Sequence, residues 1–337
     1  MMMLMGTQGP VAFWVVTTLL TALCILVVLL RAYARGKQRQ PFRVDDWLIL
    51  PALLITLGIS AAIWAGIAQG SVGYPAPMPT TRRSVVVRTP IDQVSKLISR
   101  TEKVYFAVLS LACLNLAIIK LSILFFYRRI FVNHGNKWGI VSIIITTLMV
   151  LTGMWGIAFT FSVVFSCKTH FSYWWASAGA ELRLYCIDTQ MLMYGWVVSG
   201  FIMDCLILVI PVPLVWRLHL ETKRKIGVIA IFLTGSIAIA ASAIKLAWLV
   251  WENHTPWNPG FDQNLLGCSF MFWIMVENHV GLIAACLPTL RAVVKDHSMD
   301  SVLRSIRSKM SLTSHASRTS QRDSLERISS AGSEAKH

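Results

Sequence analysis

Four ionisable side chains lie deep inside long apolar stretches of this chain: Lys120, Asp204, Lys245 and Glu277. A charge held in hydrocarbon costs about 2.5 to 3.5 kcal/mol on insertion scales, so each needs a physical account. Lys120 lies seven residues from Tyr127 and Lys245 six from Trp251, about 10 and 9 Å along a helix. Each lysine stem can therefore carry its ammonium to an interface, which is the expected arrangement for both. Asp204 and Glu277 are too short for that and must be protonated, paired or beside a wet cavity. Asn115 falls at a similar depth. These residues predict a mid-membrane polar cluster of Asn115, Asp204 and Glu277, with Lys245 as counter-ion. Such a cluster can line a ligand cavity, or it can simply hold helices together by hydrogen bonds. Two acids at one depth can also exchange protons with a bound substrate. His279, two residues from Glu277, points about 160° away on a helix, so no metal site is expected from that pair.

The elements that must position these groups follow from composition. The chain has 337 residues, 55% hydrophobic and 14% charged, with a mean hydropathy of +0.61. Soluble domains carry about a quarter charged residues, so a soluble enzyme is a poor fit. A helix needs about 20 apolar residues to cross the hydrocarbon. Seven such stretches occur, near 11–31, 47–68, 103–127, 138–165, 190–216, 227–251 and 265–290. The fold predicted is all-α, a polytopic seven-transmembrane-helix bundle over 11–290. A short segment, 1–10, precedes it and a tail, 291–337, follows. The first stretch lacks a basic n-region and a small-residue cleavage site, and reads as a retained span, not a signal peptide.

The net charge of +15 comes from 31 Lys and Arg against 16 Asp and Glu. Of the 31, 21 fall in alternate connections and the tail and 8 in the opposite set. This asymmetry predicts the N-terminus outside and the C-terminus in the cytoplasm, with the basic surplus facing anionic headgroups, not nucleic acid. Against the trend, the connection 69–103 carries Arg82, Arg83, Arg88, Lys96 and Arg100. Its Gly70, Gly73, Pro75, Pro77 and Pro79 predict an irregular segment.

Five of the seven cysteines lie within spans, where a thiol packs as a small apolar group. Cys167 and Cys186 lie in a loop on the outer side and are expected to form a disulfide, the alternative being two free thiols near helix ends. The outer sequon Asn253-His-Thr255 starts two residues past Trp251, too close to the membrane for glycosylation. Pro51, Pro211, Pro213 and Pro288 predict kinks near the inner ends of spans. The tail holds 12 serines and no apolar periodicity, which predicts disorder. Ser324 and Ser329 sit in basic contexts suited to phosphorylation, which would weaken attraction to the inner leaflet. The tail can engage a cytoplasmic signalling partner in this way, or serve only as a solubilising extension.

Several ordered motifs resemble one family. The Arg-rich connector before Val44-Asp45-Asp46-Trp47-Leu48-Ile49-Leu50 opens the series. Lys120 to Tyr127-Arg128-Arg129-Ile130-Phe131 ends the third span, and Cys167, Trp174 and Cys186-Ile187-Asp188 mark an outer loop. Asp204 with Leu206 to Trp216, Gly235, Ala241-Ser242, and Glu277 with Cys286-Leu287-Pro288-Thr289-Leu290-Arg291 complete it. Together, over about residues 11–295, they resemble the fungal rhodopsin-domain family of satratoxin-cluster type. The second connection is longer and more basic than that family's usual one. The resemblance implies seven helices in a membrane, at the cell surface or in an endomembrane, and not retinal, since residues 265–290 contain no lysine. No cofactor is implied. Within it, Asp45, Asp46, Lys120 and Arg128 form a cytoplasmic motif. Carboxylates at 45 and 46 suit a helix start and can pair with Arg128 or Arg129.

The function expected is sensing or transport of a small lipophilic ligand, in a protein tied to a secondary-metabolite gene cluster. The alternatives are a membrane-embedded acid/base enzyme using Asp204 and Glu277, such as a cyclase or isomerase, and a structural membrane protein without a ligand. An enzyme is the less favoured of these.

Overall fold

The computed structural model describes residues 8–37, 43–76, 91–131, 139–175, 186–210, 222–254, 262 and 264–287. Seven helices follow in order: α1 (Pro10–Lys37), α2 (Val44–Ala68), α3 (Ile91–Phe131), α4 (Ile140–Val164), α5 (Thr189–Val209), α6 (Thr222–His254) and α7 (Asn264–Leu287). A 3-10 turn, Phe171–Trp175, sits between α4 and α5. No strand occurs among the described residues. Six of the helices are long and apolar enough to cross a membrane, and α6 contains the shorter apolar stretch Gly235–Trp251. The tail with Ser324 and Ser329, Thr255 of the sequon, Pro211, Pro213, Pro288, Arg82, Arg83 and Arg88 lie outside the described residues.

Apolar side chains cover the outside of the bundle as well as its core. Leu19, Leu29, Leu54, Ile140 and Met154 are each more than 60% exposed, a surface that water would not tolerate and lipid would. Inside, α3 and α7 are the most enclosed, with 61% and 72% of their apolar windows buried. Phe13, Ile59, Leu109, Cys113, Trp196, Trp248 and Met271 are fully or almost fully buried in one core that joins the helices. The free cysteines Cys24, Cys113, Cys268 and Cys286 are buried and Cys205 is half-buried. α2 runs unbroken through Pro51.

Helix α3 differs most from expectation. At 41 residues it is about 61 Å long, twice the hydrocarbon thickness. Residues 91–103 are its first turns and not irregular chain, so Lys96 and Arg100 stand on a helix. Glycine and proline cluster only before this point, and the stretch from Ile91 onward has none to stop a helix.

The protruding end of α3 receives two pieces of non-helical chain. Residues 71–76 fold back over the bundle. Asn264 at the start of α7 donates to the carbonyls of Ser71 (3.2 Å) and Tyr74 (2.8 Å), and Ala76 N–H donates to Asp262 (2.6 Å). Gly73 is required there: its φ is +79°, and a Cβ would lie 2.9 Å from the backbone nitrogen of Pro10. The 3-10 turn buries Trp174 against Phe106, ring centroids 5.3 Å apart. Cys167 and Cys186 are joined in a disulfide, and Asp188 caps α5 by accepting from Gln190 N–H (3.0 Å) and Met191 N–H (3.3 Å).

Candidate functional site

Four helices contribute to one continuous chain of polar contacts inside the bundle. Lys120 of α3 pairs with Asp204 of α5 at 2.9 Å and donates to the Gly200 carbonyl at 2.8 Å. The other carboxylate oxygen of Asp204 lies 2.7 Å from the hydroxyl of Ser242 on α6. Ser242 also contacts one oxygen of Glu277 on α7, and the second oxygen of Glu277 pairs with Lys245. Ser242 and Lys245 are three residues apart on α6, which places them on one face, so the two clamp Glu277 together. Each ammonium also lies over an indole, Lys245 at 4.1 Å from the Trp196 ring centre and Lys120 at 5.3 Å from that of Trp155.

Neither lysine reaches an interface, contrary to the expectation from stem length. Lys120 is 3% and Lys245 2% exposed. Moving either ammonium to the interface would strip a partner from a carboxylate buried in apolar surroundings, and pairing satisfies both groups at once. For the same reason Lys120 does not belong with Asp45 and Asp46, where the motif placed it. Two ammonium and two carboxyl groups are balanced in number.

The chain is not sealed. A crevice of about 40 Å³ opens beside Lys120 and Asp204, walled by Ile123, Phe126, Ile207 and Leu208. The Asp204 side chain keeps 14% of its surface, while Glu277 is 4% exposed and does not line the crevice. Gly235 forms part of the wall, and a Cβ there would lie 2.4 Å from Leu208 Cδ1, so α6 passes close to α5 at this point.

Asn115 is not part of this chain. Five residues before Lys120, it points about 140° away around α3. It donates to Thr56 Oγ1 and to Asn278 Oδ1, both at 3.0 Å. Beside it, Thr21, Ser60 and His279 converge. His279 Nδ1 lies 2.8 Å from the Met275 carbonyl, which can only accept. In the neutral ring Nδ1 therefore donates, and Nε2 accepts from the hydroxyl of Ser60 (3.0 Å) or Thr21 (3.2 Å). This second network ties α1, α2, α3 and α7, and Glu277 and His279 serve different neighbours.

A third cluster closes the end of the bundle away from the disulfide. Arg31 and Arg35, one turn apart on α1, fork onto Asp45 and Asp46 at 2.8 to 3.2 Å. Arg31 also donates to the Ala285 carbonyl of α7 (2.9 Å), and Ser122 of α3 donates to the Asp45 carbonyl (2.9 Å). All four charged side chains are at least 95% buried. Asp46 accepts the Arg43 backbone N–H (3.3 Å), the capping role expected at the helix start. Of the arginines expected as partners, Arg129 reaches Asp45 only at 3.9 Å, and Arg128 is exposed. In the sequence, Arg31 and Arg35 stand at the end of the first apolar stretch and in the Arg-rich connector after it, where basic residues ordinarily mark a membrane boundary. Their one-turn spacing, shortly ahead of two adjacent aspartates, was the available signal for a buried fork.

Residues 30–296 match the model of the Fungal rhodopsin domain, and the chain belongs to that family. It is a multi-pass membrane protein. Among relatives, it is 27% identical over 285 residues to the polyenoic acids biosynthesis gene cluster protein Ba17b of Metarhizium anisopliae, covering 82% of this chain and 71% of that one. It is 26% identical to the receptor GIN3 of Arthrobotrys oligospora, over 81% of this chain and 60% of the relative. It is also 26% identical to a SAT4 family membrane protein of Emericella nidulans, over 62% of this chain and 48% of the relative. The chain thus spans less than two thirds of the length of the last two. No solved structure matches it.

Proposed function

We propose that this protein senses or transports a small lipophilic molecule whose polar end meets Lys120 and Asp204. The observation that carries this reading is the chain of paired charges ending at a crevice between apolar walls. A buried ion pair is a weak source of stability, and its retention at the edge of a cavity favours a binding role. Lys120 would donate to a carboxylate or hydroxyl in place of Asp204, and the apolar lining would take the hydrocarbon body. The crevice is too small for a whole ligand, so binding would part α5 from α6 beside Gly235. Relatives named for a receptor and for a biosynthesis gene cluster support the same class of role.

We also place the disulfide end outside and the Arg31–Asp46 end in the cytoplasm. Disulfides persist in oxidising compartments, and the basic residues crowd the connections at the other end.

The test compares Lys120→Met and Asp204→Asn with the deletion strain in the native fungus, at matched protein levels, by metabolite extraction of cells and medium. A sensor or transporter predicts unchanged chemical structures with altered export or an altered response, as in the deletion. Accumulation of an unconverted precursor would overturn this reading in favour of an enzyme, and wild-type behaviour of both variants would leave only a structural role.

A further inference from the structure

We propose that Asp204, Ser242 and Glu277 form a proton bridge, which takes a proton from water in the crevice and passes it into the bundle. This deepens the reading of the same site, adding protons to what it handles. The Ser242 oxygen lies within hydrogen-bond reach of one oxygen from each carboxyl group. A hydroxyl has one hydrogen and can donate to one of them only. With both acids ionised, the other contact would set two acceptors against each other in a nearly dry interior. One added proton on the acid pair turns both contacts into hydrogen bonds.

The transfer balances. With the proton on Asp204, its O–H donates to Ser242 Oγ, and the Ser242 O–H donates to Glu277. Breaking the Asp204 O–H bond forms a new O–H on Ser242, while the old Ser242 O–H breaks and its proton forms the O–H of Glu277. Asp204 is then the carboxylate and Ser242 is again a hydroxyl. The two states are nearly symmetric, because each acid carries a lysine on its other oxygen, Lys120 on Asp204 and Lys245 on Glu277. Whichever carboxylate is ionised has a cation beside it. The ends differ in access: Asp204 lines the crevice and Glu277 does not. At about 10 to 15 Å³ per water, the crevice of about 40 Å³ has room for about three or four, enough to deliver a proton. Among the described residues, the titratable or charged groups facing the pair are Lys120 and Tyr127 from α3, Lys245 from α6, and Cys113 from α3, close enough to interact with Lys245 and Glu277. α4 and α5 add the uncharged rings of Trp155 and Trp196.

The experiment is infrared difference spectroscopy of the full chain in lipid nanodiscs, stepped in pH, reading the C=O stretch of protonated carboxyl groups. The wild type should show one such signal, shared, so that Asp204→Asn and Glu277→Gln each shift it. Ser242→Ala should break the coupling and move the titration midpoint by more than about 1 pH unit, and Ser242→Thr should restore the wild-type curve. If Ser242→Ala does not fold, the midpoint of the remaining acid in Glu277→Gln serves in its place and should move equally. Absence of any signal belonging to these acids, or a midpoint that stays put when the bridge is broken, overturns the proposal. No ligand enters the measurement, so its failure would leave the sensing or transport reading standing.

Discussion

Removing the ammonium of Lys245 would leave Glu277 with only the Ser242 hydroxyl in an apolar interior, and breaking one half of a buried pair typically costs about 3 to 5 kcal/mol. Lys245→Met should therefore lower thermal stability in detergent micelles clearly, and Lys245→Met with Glu277→Gln should recover much of the loss. A double variant no better than the single one would show the pair to be uncoupled. At this scale the acids were legible because a short carboxylate in mid-span cannot reach an interface and needs a partner or a cavity. The lysines were not. Stem length shows that an ammonium can reach an interface, but whether a carboxylate stands nearer depends on which face of α5 or α7 is turned toward it. Asn115 was assigned to the wrong group for the same reason: depth is readable along one helix, but direction around it needs the neighbours. Ser242 appeared only as part of a family motif, and its bridging place between two acids requires three helices to be assembled.

Elements meet where small residues let backbones approach. A Cβ at Gly156 of α4 would lie 2.2 Å from the Cβ of Ala117 on α3, a rigid neighbour that cannot turn aside. Gly156→Val should force the two helices apart and lower stability by about 1 to 3 kcal/mol, the usual range for overpacking, with thermal unfolding as the measurement. Because Lys120 is three residues from Ala117, the same change should also disturb the pair with Asp204. An unchanged melting temperature would mean that the contact is slack. Helix positions were readable from apolar length, yet the ends of α3 were not. Hydropathy reports which residues favour lipid, whereas residues 91–103 are polar and helical, and their turns are held by tertiary partners such as the Ser71 carbonyl for Thr101 (3.3 Å). The disulfide was anticipated correctly from its loop.

For the whole molecule, seven crossings would put the two termini of the chain on opposite sides of the membrane, the orientation proposed above. A membrane-impermeant maleimide should label Gln8→Cys on intact cells and Ser333→Cys only after permeabilisation; the reverse pattern would invert the proposed orientation. The sequence alone determined that the chain lives in lipid, has seven apolar stretches, belongs with a particular set of membrane proteins, and carries mid-span acids too short to reach an interface. Each of these depends on composition and order along one dimension. Only the tertiary structure decided who pairs with whom: Arg31 and Arg35 with Asp45 and Asp46, Lys120 with Asp204, Lys245 with Glu277, and Ser242 between the acids. Partner choice among buried charges depends on helix rotation and closeness, and these are set by the packing of seven helices together.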